Sequence, residues 1–134
     1  MRVKPSRPVA QALLVAGDVA VFLLFSVWGR ASHGLSLGAL EVLKTAFPFL
    51  AAWLVVGAAL KAFRLEAFRT ASGTVKRVTG IWLVAGVAGL VFRALLVGHA
   101  IIPSFAVVTL ITVWVLMVVW RLVFWALVLR PVRR

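Results

Sequence analysis

Three carboxylates, two histidines and no cysteine are all that this 134-residue chain offers for acid–base or metal chemistry, against fifteen lysines and arginines. Asp18 is the most exceptional of them, standing alone inside the apolar run Val9–Trp28. A carboxylate at such a depth in hydrocarbon is costly unless it pairs with a cation or faces water, which makes it a site hypothesis by default. Arg121 is equally isolated inside Ser104–Leu129. Asp18 lies nine residues from the start of its run and Arg121 nine residues from Arg130. At 1.5 Å per residue each sits about 13–14 Å from the same end of its helix. Two chemistries follow. Asp18 and Arg121 can form a buried ion pair, each offsetting part of the other's desolvation. Alternatively, Asp18 takes up and releases a proton or cation. Trp125, four residues beyond Arg121, is the indole expected to cover the guanidinium.

Arg30, His33, Glu41 and Arg93 form a second candidate cluster toward the opposite side. Gly86 and Gly89 precede Arg93 by seven and four residues, so its face packs inside a bundle, with Glu41, His33 or a loop carbonyl as the expected partner. Gln11, Asp18, Ser26, Gly29 and His33 fall near one stripe of the first helix, which would line an aqueous path if all faced inward. His33 and His99 share a side but lack regular ligand spacing. No nucleophile–base pair, phosphate-cradling glycine loop or paired carboxylates stands out, so no catalytic residue, cofactor or metal is expected.

The elements that must position these residues are membrane helices. Hydrophobic residues make up 64%, charged residues 13%, and mean hydropathy is +1.13. Four runs, Val9–Trp28, Thr45–Leu60, Gly80–Gly98 and Ser104–Leu129, approach or exceed the length that crosses hydrocarbon. Strict alternation is missing, which excludes strands. The second run is short, with Lys44 and Lys61 at its ends to snorkel outward and Pro48 near its start. The first is longer than a signal-peptide core and carries Asp18, so it reads as a retained span. The expected fold is an all-α integral membrane bundle of four transmembrane helices in a single domain, residues 1–134. Its one sizeable loop, residues 61–79, interleaves Phe63 and Phe68 with Lys61, Arg64 and Arg69, as at a headgroup boundary. There Glu66 is placed to pair with Arg69, and Thr70–Thr74 reads as a turn.

The net charge of +12 does not indicate nucleic acid, because the cations cluster beside apolar spans rather than on a soluble face. They suit anionic lipid headgroups instead. Arg2, Lys4 and Arg7, then Lys61, Arg64, Arg69, Lys76 and Arg77, then Arg130, Arg133 and Arg134 place eleven cations on one side; Arg30 and Lys44 are the two on the other. The positive-inside rule therefore puts both termini in the cytoplasm. The Ala12, Ala16, Ala20 ladder and the Gly86/Gly89 face each offer a close-packing surface, and one of them is expected to serve a homo-oligomer or a larger membrane complex.

Several landmarks together carry a resemblance: Gly17-Asp18, Gly29-Arg30-Ala31-Ser32-His33, Pro48-Phe49 with Trp53, Arg93, and Trp120-Arg121. Over about residues 10–122 the chain resembles the uncharacterised prokaryotic membrane family known as domain-of-unknown-function family 3054. The resemblance implies four spans and no established activity, and it highlights Asp18, Arg30, His33, Arg93 and Arg121. Transport or channel-like passage of an ion or small solute is the leading expectation. A non-catalytic accessory subunit and a lipid-headgroup-binding or lipid-processing protein are the alternatives.

The charge asymmetry generates a direct test of topology. Cysteines introduced at Ser36 and Ser72 should react with a membrane-impermeant thiol reagent from opposite sides of the membrane. Labelling of both from one side would overturn the four-span arrangement.

Overall fold

In the computed structural model, which describes residues 3–131, prolines open two of the helices and a threonine cap opens a third. Arg2, Arg133 and Arg134 lie outside the described residues. Helix α1 (Arg7–Ser32) starts with Pro8 in its first turn, and α4 (Pro103–Phe124) starts on Pro103, where a missing N–H leaves no hydrogen bond unmade. Helix α3 (Ala71–Val97) is capped by Thr70, whose hydroxyl accepts from the Gly73 N–H at 3.0 Å. It ends on Gly98 at φ 73°, a left-handed stop suited to glycine. Helix α2 (Ala39–Ala59) ends in a left-handed residue too, but there the position is Lys61, at φ 66°. Each of the four helices is long and apolar enough to cross a membrane. No strand occurs among the described residues.

The boundaries differ from the sequence expectation in informative ways. Helix α2 begins at Ala39 rather than Thr45, which moves Pro48 from the helix start into its interior and puts Lys44 on the helix instead of at its end. Thr70–Thr74 is a cap and first helical turn rather than a free turn. The last turn of α4 widens over Trp125–Leu129, with the Arg130 N–H bonded to the Trp125 carbonyl at 2.6 Å. Glu66, in a short 3₁₀ turn (Leu65–Ala67), pairs with Arg7 across the bundle rather than with Arg69, whose side chain reaches the Glu66 carbonyl at 3.3 Å. The Glu66 carboxyl is held below its usual range, first by a backbone hydrogen bond and then by Arg7.

Successive helices are neighbours and α4 closes against α1. Both termini and the α2–α3 connection therefore share one end, here the terminal end, where the Lys4 ammonium donates to the Arg130 carbonyl at 2.9 Å. The α1–α2 and α3–α4 connections form the hairpin end. The exterior is apolar, with Val55, Leu83, Leu95 and Val108 well exposed, while Asp18, Ser26, Thr74, Thr109 and Arg121 are buried. This inversion of the soluble pattern is what four helices solvated by lipid require.

Small residues set how closely the helices approach. A Cβ at Gly89 would lie 2.7 Å from Phe49 Cδ1 and 3.2 Å from Phe49 Cα, and one at Gly86 would lie 2.5 Å from Leu110 Cδ2. The glycine face of α3 thus packs internally, whereas Ala12, Ala16 and Ala20 face outward. Gly89→Ala should force α2 and α3 apart and lower stability by about 1–3 kcal/mol, as overpacking does. Gly80→Ala, where a Cβ meets nothing within 4 Å, is the matched control. Thermal unfolding in detergent distinguishes them; equal melting temperatures would show that the α2–α3 contact is not tight.

Candidate functional site

Two layers of polar side chains lie inside the bundle, separated by aromatic rings. In the layer nearer the terminal end, Asp18 and Arg121 are 0% and 2% exposed. The guanidinium donates Nε to Asp18 Oδ1 at 2.9 Å and Nη2 to Oδ2 at 2.6 Å, a two-pronged pair. Trp120 Nε1 donates to Oδ1 at 3.0 Å and Trp53 Nε1 to Oδ2 at 2.9 Å. Four N–H groups thus occupy the roughly four lone-pair directions of a carboxylate. The remaining edge of Arg121 gives Nη1 to the Ala62 carbonyl at 2.9 Å. That carbonyl follows the left-handed Lys61, whose turn reverses the chain at the end of α2.

The guanidinium faces are also covered. Phe68 lies 5.0 Å from its carbon and Trp53 5.6 Å, which replaces water with aromatic faces. The indole expected for this task, Trp125, instead donates to the Arg69 carbonyl at 3.1 Å. Gly17 makes the arrangement possible, because a Cβ there would strike the six-membered ring of Trp120. None of Trp53, Trp120, Ala62 or Gly17 could be assigned these roles from charge alone. The usable signal was that both tryptophans and the glycine sit beside charges or at matching depth.

One helical turn further along α1, Phe22 contacts Trp53 and Trp82, with centroids 6.3 and 5.8 Å away, and the two indoles are 6.5 Å apart. These three buried rings interrupt the polar stripe expected on α1. Ser26, the next polar residue, is buried and donates to the Val42 carbonyl at 2.8 Å. On this face of α1, Phe22 and the rings packed on it thus stand between Asp18 and Ser26.

The second layer surrounds a cavity of about 450 Å³ toward the hairpin end. Arg30, His33, Glu41 and Arg93 all line it, joined by Lys44, Thr45 and Thr109. Its apolar wall includes Phe25, Pro48, Leu96, Val97, Phe105 and Val108. Arg30 is fixed in place, donating Nε to the Ser36 carbonyl at 2.6 Å and Nη1 to Thr45 Oγ1 at 3.0 Å. The Arg93 guanidinium lies 4.0 Å over the Phe105 ring, and among the described residues it meets neither Glu41 nor His33 in a hydrogen bond or ion pair. The expected Arg93–Glu41 contact is thus not formed. His99 does not line the cavity. Among the described residues no group of three or more metal-binding side chains occurs.

Thr109 shows a further peculiarity. Thr74 and Thr79 return their hydroxyls to the carbonyl four residues back, at 2.8 and 2.7 Å. Thr109 Oγ1 is buried with no hydrogen-bond partner. Pro48, lacking an N–H, likewise withholds the bond that the Lys44 carbonyl would otherwise accept. The cavity thus combines three cations and one carboxylate with an apolar wall, beside one buried hydroxyl that has no partner.

The ion pair generates a quantitative expectation. Asp18→Asn and Arg121→Gln should each lower stability by about 3–5 kcal/mol, since either change strands a buried charge. The double variant should lose less than the sum of the two, by about 1–3 kcal/mol. Thermal unfolding in detergent measures all four corners of the cycle, and strictly additive losses would show that the residues do not act as a pair.

The comparisons with known proteins bear on these same layers. A family model described as a protein of unknown function (DUF3054) matches residues 15–124. That stretch holds Gly17, Asp18, Arg30, His33, Trp53, Arg93 and Trp120-Arg121, the landmarks that carried the sequence resemblance. No curated protein and no solved structure matches the chain. With most of its length matched by that one model, the chain belongs to the DUF3054 family of unknown function.

Proposed function

We propose that this protein is a membrane-embedded binding protein that holds an anionic group in the hairpin-end cavity. The observation that carries the reading is the composition of that cavity. Arg30, Lys44 and Arg93 face one carboxylate, Glu41, inside about 450 Å³ of space, a volume within the range of small-ligand sites. Arg93 is held by stacking on Phe105 and keeps its donors unspent. Cations without counterions in a low-dielectric surrounding attract anions far more strongly than the same cations in water.

The other half of the bundle supports binding over conduction. Passage of an ion or solute along the axis would have to break the Phe22–Trp53–Trp82 cluster and then the four-donor cage around Asp18. Asp18 and Arg121 act in this reading as a structural pair rather than as a carrier. The excess of cations at the terminal end supports a cytoplasmic location for both termini, with the cavity opening to the outer side of the membrane. The outward Ala12, Ala16, Ala20 ladder favours self-association or attachment to a larger complex, an addition to the reading rather than a condition of it.

Inorganic phosphate is the simplest probe. It should raise the melting temperature of the purified full chain in a saturable manner, as any ligand selective for the folded state does. Chloride at matched ionic strength should not. Arg93→Gln should fold and lose the phosphate-dependent shift, and proteoliposomes carrying the native chain should show no phosphate flux. A missing shift, or flux through the native chain, would sink this reading.

A further inference from the structure

The cavity is wider and more apolar than a bare oxyanion requires, and its walls are not equally closed. On the hairpin-end half of α1, the polar and aromatic contacts run to α2. Phe25 meets Phe49 at 6.0 Å, Ser26 bonds the Val42 carbonyl and Arg30 bonds Thr45. On the corresponding half of α4, Phe105 meets Phe49 at 6.2 Å and lies under Arg93 of α3. None of these contacts joins α1 to α4. In the other half the same two helices are sewn together by Leu14, Phe124 and the ion pair.

Two cavity-lining residues mark the gap between α1 and α4. A Cβ added at Gly29 would meet nothing within 4 Å. Val108 lines the cavity yet is 60% exposed, so one side chain borders both the interior and the surroundings. Val108 is five residues into α4, about 7–8 Å along the helix at 1.5 Å per residue. The cavity therefore opens laterally at Val108, at a depth where a membrane helix meets lipid, as well as at the hairpin end, where the lining Leu35 is 51% exposed.

The charge count narrows the class of occupant. Counting lysine, arginine and glutamate side chains, Arg30, Lys44 and Arg93 against Glu41 leave a formal charge of +2. A phosphate monoester carries about −1.5 to −2 at neutral pH, whereas a diester or a carboxylate would leave cationic charge uncompensated. The planar guanidinium of Arg93 can grip two phosphate oxygens at once. Resting on the anion-binding reading above, we infer that the cavity receives the headgroup of a phosphate-monoester lipid, which enters sideways between α1 and α4 past Gly29 and Val108 while its chains stay in the bilayer.

Phosphatidic acid, phosphatidylcholine and inorganic phosphate, each added to the full chain in detergent and followed by native mass spectrometry and thermal shift, test the inference. Phosphatidic acid should be retained at least about tenfold more tightly than inorganic phosphate, a difference readily resolved by titration. Phosphatidylcholine should not be retained. Gly29→Leu and Val108→Trp narrow the lateral opening without touching a cation, so each should weaken phosphatidic acid by about tenfold or more relative to inorganic phosphate. Val108 is exposed and open space surrounds Gly29, so at least one of the two variants keeps the native melting temperature. Binding of inorganic phosphate without phosphatidic acid overturns the lipid assignment and leaves the anion reading standing. Equal retention of phosphatidylcholine, or undiminished phosphatidic acid binding by a folded variant, overturns it as well. Binding of neither phosphate species removes the underlying reading itself.

Discussion

An ion pair placed in hydrocarbon must be completely solvated by protein, and in this chain that requirement organises half of the bundle. Asp18 on α1 and Arg121 on α4 neutralise each other, but neutrality alone leaves lone pairs and N–H groups unmet. Trp53 from α2, Trp120 from α4 and the Ala62 carbonyl after α2 meet them. Three helices and a connecting turn are thereby tied at one depth. A one-residue rotation of any helix would remove a donor from the cage and strand the rest, so the pair acts mainly through the register it imposes. Gly17 and the left-handed Lys61 are consequences of the same demand, one clearing space for an indole and the other turning a carbonyl inward.

Along α1 and α4 the spacing of four residues converts sequence into depth. Asp18, Phe22, Ser26 and Arg30 descend the inward side of α1, while Arg121, Met117, Val113, Thr109 and Phe105 descend the inward side of α4. Both series pass from charge, through a plug of apolar residues, to polar groups around a cavity. The plug keeps the cavity from communicating with the buried pair. Substitutions in the two layers are accordingly separable in principle, because the Phe22, Trp53 and Trp82 rings stand between them. The indole N–H groups obey the same dry-interior accounting elsewhere, with Trp82 bonded to the Leu110 carbonyl and Trp114 to Thr79, both across the α3–α4 seam.

Much of this was legible in the sequence, and the limits have physical causes. Four spans followed from hydropathy because lipid imposes a length and forbids unpaired backbone. The equal depth of Asp18 and Arg121 followed from counting residues. What counting could not supply was azimuth. The choice of Trp53 and Phe68 over Trp125 as covers for Arg121 depends on which way neighbouring helices face, and a widened last turn carries Trp125 toward Arg69. The early start of α2 at Ala39 was obscured by Glu41 and Lys44, which depress local hydropathy although both lie on the helix and line the cavity. For Arg93 the sequence offered Glu41, His33 or a loop carbonyl as partner. Opposite charge suggested Glu41, whereas the structure uses the Phe105 face and leaves both charges toward the cavity.

That last outcome distinguishes the two polar layers by how their charges are treated. In the first layer every side-chain nitrogen and oxygen of the Asp18–Arg121 pair has a protein partner and the pair is buried from solvent, so little remains with which to recognise a ligand. In the second, Arg30 is braced through two of its nitrogens and Arg93 is braced by an aromatic face, yet both retain N–H groups directed at no protein acceptor. Bracing a cation without neutralising it costs stability in a low-dielectric setting and yields nothing for folding. Thr109 adds to that cost with a buried hydroxyl that forgoes the helix carbonyl its counterparts on α3 use. Strain of this kind persists where surrounding structure supports it, and here the fully satisfied Asp18–Arg121 layer supplies that support one plug away. The stability of the sealed half is what permits the other half to hold unneutralised charge, as the proposed anion site requires.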